Sequence, residues 1–458
     1  MFYLPKHIEQ ILYTLEKNGY KAYIVGGSVR DMLLNKAPKD YDIATNATPE
    51  EIEKVFSNYK KLKIGKEYGT IILVLEEGNV EITTFRKEGI YTDGRRPSWV
   101  LFSSNIKEDL SRRDFTINAM AYNHRDGLID PYGGEEDLRK GIIRTVGDPK
   151  DRFNEDYLRI LRAVRFSTQL GFFLEESTYV AAKKYSQNIS NISMERITHE
   201  FFKIILCDKP SRGIKLLENL NLLKIILPEL IPTIEFDQEN PHHEKDVYQH
   251  TLCVLDNTSS ILQLRLAALF HDIGKPYTIS IDEEGVGHFY GHDRLGAEMS
   301  REILTRFKCS NELIQKVYIL VKEHMNHHTN FTDKGLKRLI RRVGEEEIFN
   351  LIELQKADIR CSNKDASIEH IIDREKRIKD ILEKKEVYEL NQLDINGRDL
   401  IHLGFKEGII IGEILEYLLE KVIENPKLNH KKILEELALK KYFPYLSNTE
   451  PKAKNPKH

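Results

Sequence analysis

Two aspartates stand two residues apart in KDYDIAT, Asp40 and Asp42, shortly after a Gly26-Gly27 pair. On a strand, side chains repeat every two residues, so both carboxylates leave the same face with Cα atoms roughly 6.5–7 Å apart. A pair held that way can clamp a divalent cation. The run from Lys21 to Val25 reads as a short buried strand that ends at the two glycines, and Ser28 begins a helix running to about Leu34. Backbone amides near Gly27 and Ser28 then face any anion at the helix start, with Arg30 one turn in. After Pro38, residues 39–45 return as a second strand that carries both aspartates. Taken singly, a GG turn is only a turn, and an Asp-x-Asp pair is usually a solvated strand face. In the order strand, GG, helix, strand they place a metal clamp beside a phosphate cradle, the requirement for chemistry on a nucleoside triphosphate.

Further along, Thr48 is a helix cap with Pro49 at the first helical position. Residues 71–75 and 79–85 read as a hairpin, and Glu81 in NVEITTF should neighbour the aspartate strand. Glu81 is therefore either a third carboxylate of the clamp or an ordinary edge-strand glutamate. DLSRRDFTINAMAY, residues 109–122, sets Arg112 and Arg113 before small and apolar residues that pack closely. In EDYLRILRAVRF, residues 155–166, Leu158, Ile160, Leu161, Val164 and Phe166 follow a helical period. Asp156 and Arg159 lie three apart on one face of that predicted helix, and Arg162 and Arg165 continue the interval. As an exposed ion pair, Asp156 and Arg159 contribute little to stability.

A second constellation is separate from the first. His250 lies on a predicted helix over residues 246–256, and an apolar helix over 263–270 closes on His271-Asp272 in HDIGKP. His292 in GHDRLGA, His324 in LVKEHM and Asp358 in QKADIR follow. Imidazole and carboxylate are a ligand set for a divalent metal. A His-Asp pair at the end of an apolar helix has little packing reason to be there, since both side chains need partners once buried. His242, His243, His327 and His328 read as surface residues or as neighbours of the ligands.

GGSVRD followed by KDYDIAT, then RRDFTINAMA and the EDxxR pattern of Glu155, Asp156 and Arg159, resemble the class II nucleotidyltransferases that build the CCA end of transfer RNA, a class shared with bacterial poly(A) polymerases. The resemblance implies that Asp40 and Asp42 hold Mg2+, that Gly26, Gly27, Ser28 and Arg30 hold the triphosphate, that Arg113 contacts the nucleotide, and that Asp114 and Asn118 contribute hydrogen bonds near the sugar. It also gives Asp156 and Arg159 a sharper role. Cytosine and adenine each present an exocyclic amine beside a ring acceptor, which a fixed carboxylate and a fixed guanidinium complement. Uracil and guanine set carbonyl against carboxylate and N–H against guanidinium, leaving buried groups unpaired. Arg162 and Arg165 match positions that contact triphosphate or base. The loop over residues 86–99 matches an element that helps the site switch from C to A addition; it is not shortened, which favours full CCA addition. The ordered set His250, His271, Asp272, His292, His324 and Asp358 resembles the HD-domain phosphohydrolases, implying a divalent transition metal or Mg2+ there.

A chain of 458 residues exceeds one compact core. The expected fold is α+β, a small mixed sheet followed by helices. The expected domains are a nucleotidyltransferase head over residues 1–148, a helical neck over 149–238, an HD domain over 239–362 and a helical body for transfer RNA over 363–458. Net charge is −3, so an RNA-binding chain must concentrate its Lys and Arg on one face. Cysteines 207, 253, 309 and 361 show no close spacing, and reduced thiols in a cytoplasm account for them most simply. No stretch approaches ~18 apolar residues, so no membrane partner is expected. The expected partners are CTP, ATP and the 3′ end of transfer RNA, and oligomeric state is left open. The rival readings are a C-adding or A-adding enzyme of single activity, a poly(A) polymerase, and an HD phosphohydrolase whose head serves only to bind RNA.

Overall fold

The structure is a computed structural model that describes residues 2–62, 69–89, 99–236, 246–362 and 367–446. It comprises two compact units, residues 1–232 with 306–308 and residues 233–305 with 309–458. His242, His243 and residues 90–98 of the loop lie outside the described residues.

The first unit is built on a seven-stranded mixed sheet. Its strands are β1 (Ala22–Val25), β2 (Asp42–Thr45), β3 (Lys60–Leu62), β4 (Thr70–Leu75), β5 (Gly78–Thr84), β8 (Ala121–Asn123) and β9 (Gly127–Ile129), in the order β3-β4-β5-β2-β1-β8-β9. Two short strands, β6 (Arg86–Glu88) and β7 (Val100–Phe102), form a separate antiparallel ribbon. β1 pairs with both β2 and β8 antiparallel, whereas β2 and β5 run parallel. The central strands are buried on both faces: Ile24, Ile43 and Ile82 pack beneath the Lys6–Lys17 helix, while Tyr23, Val25 and Ala44 pack with Phe85 and Leu110 opposite. This is why AYIV reads as a continuous apolar run rather than an alternating one. Thr48 caps the Pro49–Val55 helix in a capping box with Glu51, as its spacing predicts.

Three expectations need correction here. The second strand begins at Asp42, and Asp40 sits in a bend before it, so the two aspartates do not share a strand face. β5 is an interior strand between β4 and β2, so Glu81 is not on an edge. The predicted helix over residues 155–166 is broken: one helix ends at Glu155, Asp156 is extended with φ −154° and ψ 105°, and the next helix, Leu158–Leu170, begins two residues later. Residues 167–230 are mainly helical but include a two-residue strand, Phe173–Leu174, parallel to Ile142–Ile143.

The second unit contains, among the described residues, helices and one two-stranded ribbon, Ser280–Ile281 with Gly287–His288. The Val247–Asp256, Leu262–Phe270, Asn311–Glu323 and Ile348–Ser362 helices surround one buried polar centre. Leu400, Phe405, Ile414, Leu418 and Leu434 build a separate core nearer the C-terminus. Among the described residues no helix is long and apolar enough to cross a membrane.

Candidate functional site

In the first unit a cleft of about 1030 Å3 opens beside the end of β1. Gly26 makes the turn there with φ 73°, a conformation that disfavours any residue with a Cβ. A Cβ on Gly26 would also stand 2.7 Å from Arg113 Nη1. The Gly27–Leu33 helix starts immediately afterwards. Ser28 is buried; its hydroxyl donates to the Asp40 carbonyl at 2.9 Å and accepts the Asp42 N–H at 3.3 Å. That hydroxyl therefore ties the helix start to the bend and sets where the two aspartates lie, and Gly26, Gly27 and Ser28 line the cleft.

Asp40 and Asp42 both line the cleft. Asp42 stands directly beside Glu81 in the parallel register of β2 and β5. Burial pushes the Asp42 carboxyl up, Arg113 draws it down and Asp40 raises it again. Glu81 is raised by burial, then by Asp42 and Asp40. A cluster of carboxylates that repel one another is what a divalent cation relieves, so the donor set fits one. Arg113 pairs with the fully buried Asp109 at 3.3 Å, and its Nε is buried with no hydrogen-bond partner among the described residues.

The other wall is a buried polar chain. Arg30 Nη1 donates to Asn118 Oδ1 at 2.8 Å, Asn118 Nδ2 donates to Asp114 Oδ1 at 3.2 Å, and Arg162 Nε donates to Asp114 Oδ2 at 2.7 Å. Arg165 pairs with Glu200 at 3.2 Å, and the guanidiniums of Arg30, Arg162 and Arg165 all lie over the Phe166 ring, 4.2–5.5 Å from its centroid. Burial pushes the Asp114 carboxyl up, but Arg162 and Arg159, with the hydrogen bonds from Arg162 and Asn118, outweigh it and bring the pKa down to about 2. A depressed folded-state pKa stabilises above the unfolded value and loses that contribution as pH falls through it. Asp114→Asn is accordingly expected to cost on the order of 2 kcal/mol at pH 7, a difference that closes as pH is lowered from about 4 to about 2. Denaturant titrations of both proteins across that range measure it.

Asp156 and Arg159 both reach the cleft, but they are held separately. Arg196 pairs with Asp156 Oδ2 at 2.6 Å, while Arg159 pairs with Glu155 and donates to the Arg152 and Arg112 carbonyls at 3.0 and 3.2 Å. Their expected pairing across one helix face is therefore replaced by two independent anchors. Arg196, Lys203, Lys36 and Lys39 also line the cleft and were not singled out by the sequence. Arg196 and Lys203 lie on the Met194–Ile205 helix, whose amphipathic pattern gave no chemical signal.

In the second unit all six predicted ligands converge. His250 Nε2 lies 3.2 Å from His271 Nε2 and 3.1 Å from Asp358 Oδ1, and His271 Nε2 lies 3.3 Å from Asp272 Oδ2. Asp272 Oδ1 faces the other way, 3.4 Å from His292 Nε2 and 3.8 Å from His324 Nε2. Asp272 is thus common to two ligand groups. His292 and His324 donate Nδ1–H to the Phe289 and Val321 carbonyls, each at 2.6 Å, so their Nε2 lone pairs face each other at 3.3 Å. Two lone pairs so placed can share a cation, and the separation suits two nitrogens each about 2.1 Å from one ion. Burial, then His271 and His292, hold the His324 imidazole down to about 3, in its neutral ligand form. Glycines permit the approach: a Cβ on Gly274 of HDIGK would lie 2.6 Å from the His292 carbonyl oxygen. Sequence reasoning missed Lys275, whose ammonium lies 2.8 Å from Asp272 Oδ2.

The expectation of four reduced thiols is corrected in the same place. Cys253 and Cys361 form a disulfide between the Val247–Asp256 and Ile348–Ser362 helices, each three residues after a ligand, His250 and Asp358. A separation of 108 residues hides this pairing from spacing rules. Closing so long a loop is worth about 5 kcal/mol in the chain-entropy account. Reductant is expected to lower the denaturation midpoint of the wild type and to leave that of Cys253→Ser unmoved; a wild type indifferent to reductant would mean that the pair is open in solution.

Family models for the poly A polymerase head domain and for the probable RNA and SrmB-binding site of polymerase A match residues 22–144 and 171–233. A model for transfer RNA nucleotidyltransferase domain 2 matches residues 292–438. A CCA-adding enzyme of Anoxybacillus flavithermus is 34% identical over 94% of this chain and 95% of its own. One from Enterococcus faecalis is 31% identical over 95% of this chain and 96% of its own. The crystal structure of the Bacillus stearothermophilus CCA-adding enzyme in complex with CTP superposes with a TM-score of 0.72 at 25% identity, covering 96% of this chain and 99% of that one. With likeness running from end to end and the motifs of the head gathered on one cleft, the chain belongs to the CCA-adding enzyme family.

Proposed function

We propose that this protein adds C, C and A to the 3′ end of transfer RNA, using CTP and ATP and releasing pyrophosphate. The observation that carries this reading is the single cleft onto which Asp40, Asp42, Asp156 and Arg159 all open. Asp40 and Asp42, with Glu81 beside them, would hold Mg2+, which supplies acidification of the attacking 3′ hydroxyl and charge stabilisation of the departing pyrophosphate. The Gly27 and Ser28 amides, Arg30 and Arg113 bind the triphosphate and orient its α-phosphate toward the primer. Asn118 and Asp114 hold Arg30 and Arg162 in place from behind. Asp156 accepts the exocyclic amine of cytosine or adenine, and Arg159 donates to the adjacent ring nitrogen, so the protein does the work of a template. A transfer RNA substrate fits a cytoplasmic protein.

Incubating transfer RNA that lacks its last three nucleotides with Mg2+ and CTP, ATP or both tests this. The reading expects two additions with CTP alone and three with both. A stop after two with both nucleotides would make this a C-adding enzyme, and long A tracts from ATP alone would make it a poly(A) polymerase.

The convergence of five candidate ligands around Asp272 supports a second activity, hydrolysis of a phosphoester at a divalent metal site in the second unit. Four imidazoles favour a transition metal over Mg2+ there.

A further inference from the structure

The EDxxR motif makes Asp156 and Arg159 legible as the base-reading pair, but it does not say what holds a carboxylate on a non-helical residue in one orientation. The structure supplies the answer from the Met194–Ile205 helix. Asp156 Oδ1 accepts the Leu158 N–H at 3.1 Å, and Oδ2 accepts from Arg196 Nη2 at 2.6 Å. Asp156 is pinned at both oxygens, and Arg196 lines the same cleft. The Arg159 guanidinium has its own anchors in Glu155 and two backbone carbonyls.

We infer that Arg196 is a specificity-determining positioning residue for nucleotide selection, acting through Asp156 rather than on the base. The inference rests on the reading of Asp156 and Arg159 as the template. A carboxylate discriminates only through the direction in which its remaining lone pairs point. With both oxygens tied, those lone pairs have one direction, which suits the amine of cytosine or adenine and opposes the carbonyl of uracil or guanine. Without Arg196, the Asp156 carboxylate turns about its side-chain bonds. It can then pair with Arg159, three residues on, which withdraws both readers from the base at once. The loss therefore falls on discrimination as well as on affinity.

The test is steady-state addition to transfer RNA lacking CCA, with CTP, ATP, UTP and GTP each alone, for wild type, Arg196→Ala, Arg196→Lys and Asp156→Ala. Arg196→Ala is expected to raise KM for CTP and ATP about tenfold with a smaller change in kcat, and to lower the CTP:UTP and ATP:GTP ratios of kcat/KM by about tenfold or more. Arg196→Lys, which keeps a charge but not the planar fork, is expected to recover part of both. If Asp156→Ala loses discrimination while Arg196→Ala keeps it, the inference fails and the template reading stands. If Asp156→Ala itself keeps discrimination, the template reading fails and the inference with it. Thermal melts of all variants separate these outcomes from unfolding, since a fold defect lowers activity on all four nucleotides alike.

Discussion

Replacing Asp42 by alanine is expected to reduce nucleotide addition by at least about 10^3-fold while leaving the fold and the second unit intact, because removing one carboxylate of a metal clamp forfeits several kcal/mol of transition-state stabilisation. Asp42 is the residue to choose. It lies in β2 directly beside Glu81, with Asp40 near enough to raise its pKa. Its amide is fixed by Ser28, so the backbone at this point is held independently of the side chain. Taking away one of several mutually repelling carboxylates should not destabilise the protein; denaturation measured without added metal is expected to show the variant as stable as the wild type, or slightly more so. Rates with and without Mg2+ on transfer RNA lacking CCA measure the first effect. A variant that kept a tenth of the wild-type rate would remove Asp42 from the chemistry.

The second large effect belongs to Asp272. Its two oxygens face different ligand groups, Oδ2 toward His250 and His271 and Oδ1 toward His292 and His324. Asp272→Ala is therefore expected to remove all metal bound by the second unit. His292→Ala, which touches one group only, is expected to lower the metal content without abolishing it. Elemental analysis of protein purified with a transition metal and then dialysed reads both. Full metal retention by Asp272→Ala would contradict a shared ligand. Nucleotide addition should persist in Asp272→Ala, because the carboxylates of the cleft belong to the first unit.

Much of this chemistry was legible because it is local. GGSVRD fixes a turn and a helix start within six residues, HDIGKP brings two of the clustered side chains and the glycine that lets His292 approach, and RRDFTINAMA holds Asp114 and Asn118, the middle of the polar chain. The errors come where a local pattern has a non-local cause. The apolar period in residues 155–166 starts only at Leu158, past the break at Asp156, and the bond from the Leu158 N–H and the pull of Arg196, 40 residues away, reveal that break. One signal was present: an aspartate just before an apolar run is a helix cap as readily as a helix member. Glu81 looked like an edge residue because alternation shows that a strand has two faces and not which strands flank it; here β5 crosses to lie parallel to β2. The bend over Lys39 and Asp40 follows Pro38, and a proline marks a break without saying how far past it the strand begins. The pairing of Cys253 with Cys361 depends on two helices distant in sequence, those that carry His250 and Asp358, meeting beside the buried histidine cluster.

The proposed choice of nucleotides by Asp156 and Arg159 can be put to one measurement. The direct measurement offers all four nucleoside triphosphates at equal concentration to transfer RNA lacking its last three residues and sequences what is added. The expected products are C, C and A, followed by a stop, and an Arg159→Ala variant is expected to admit U and G. Wild-type products carrying U or G, or an Arg159→Ala variant with unchanged choice, would contradict the proposal.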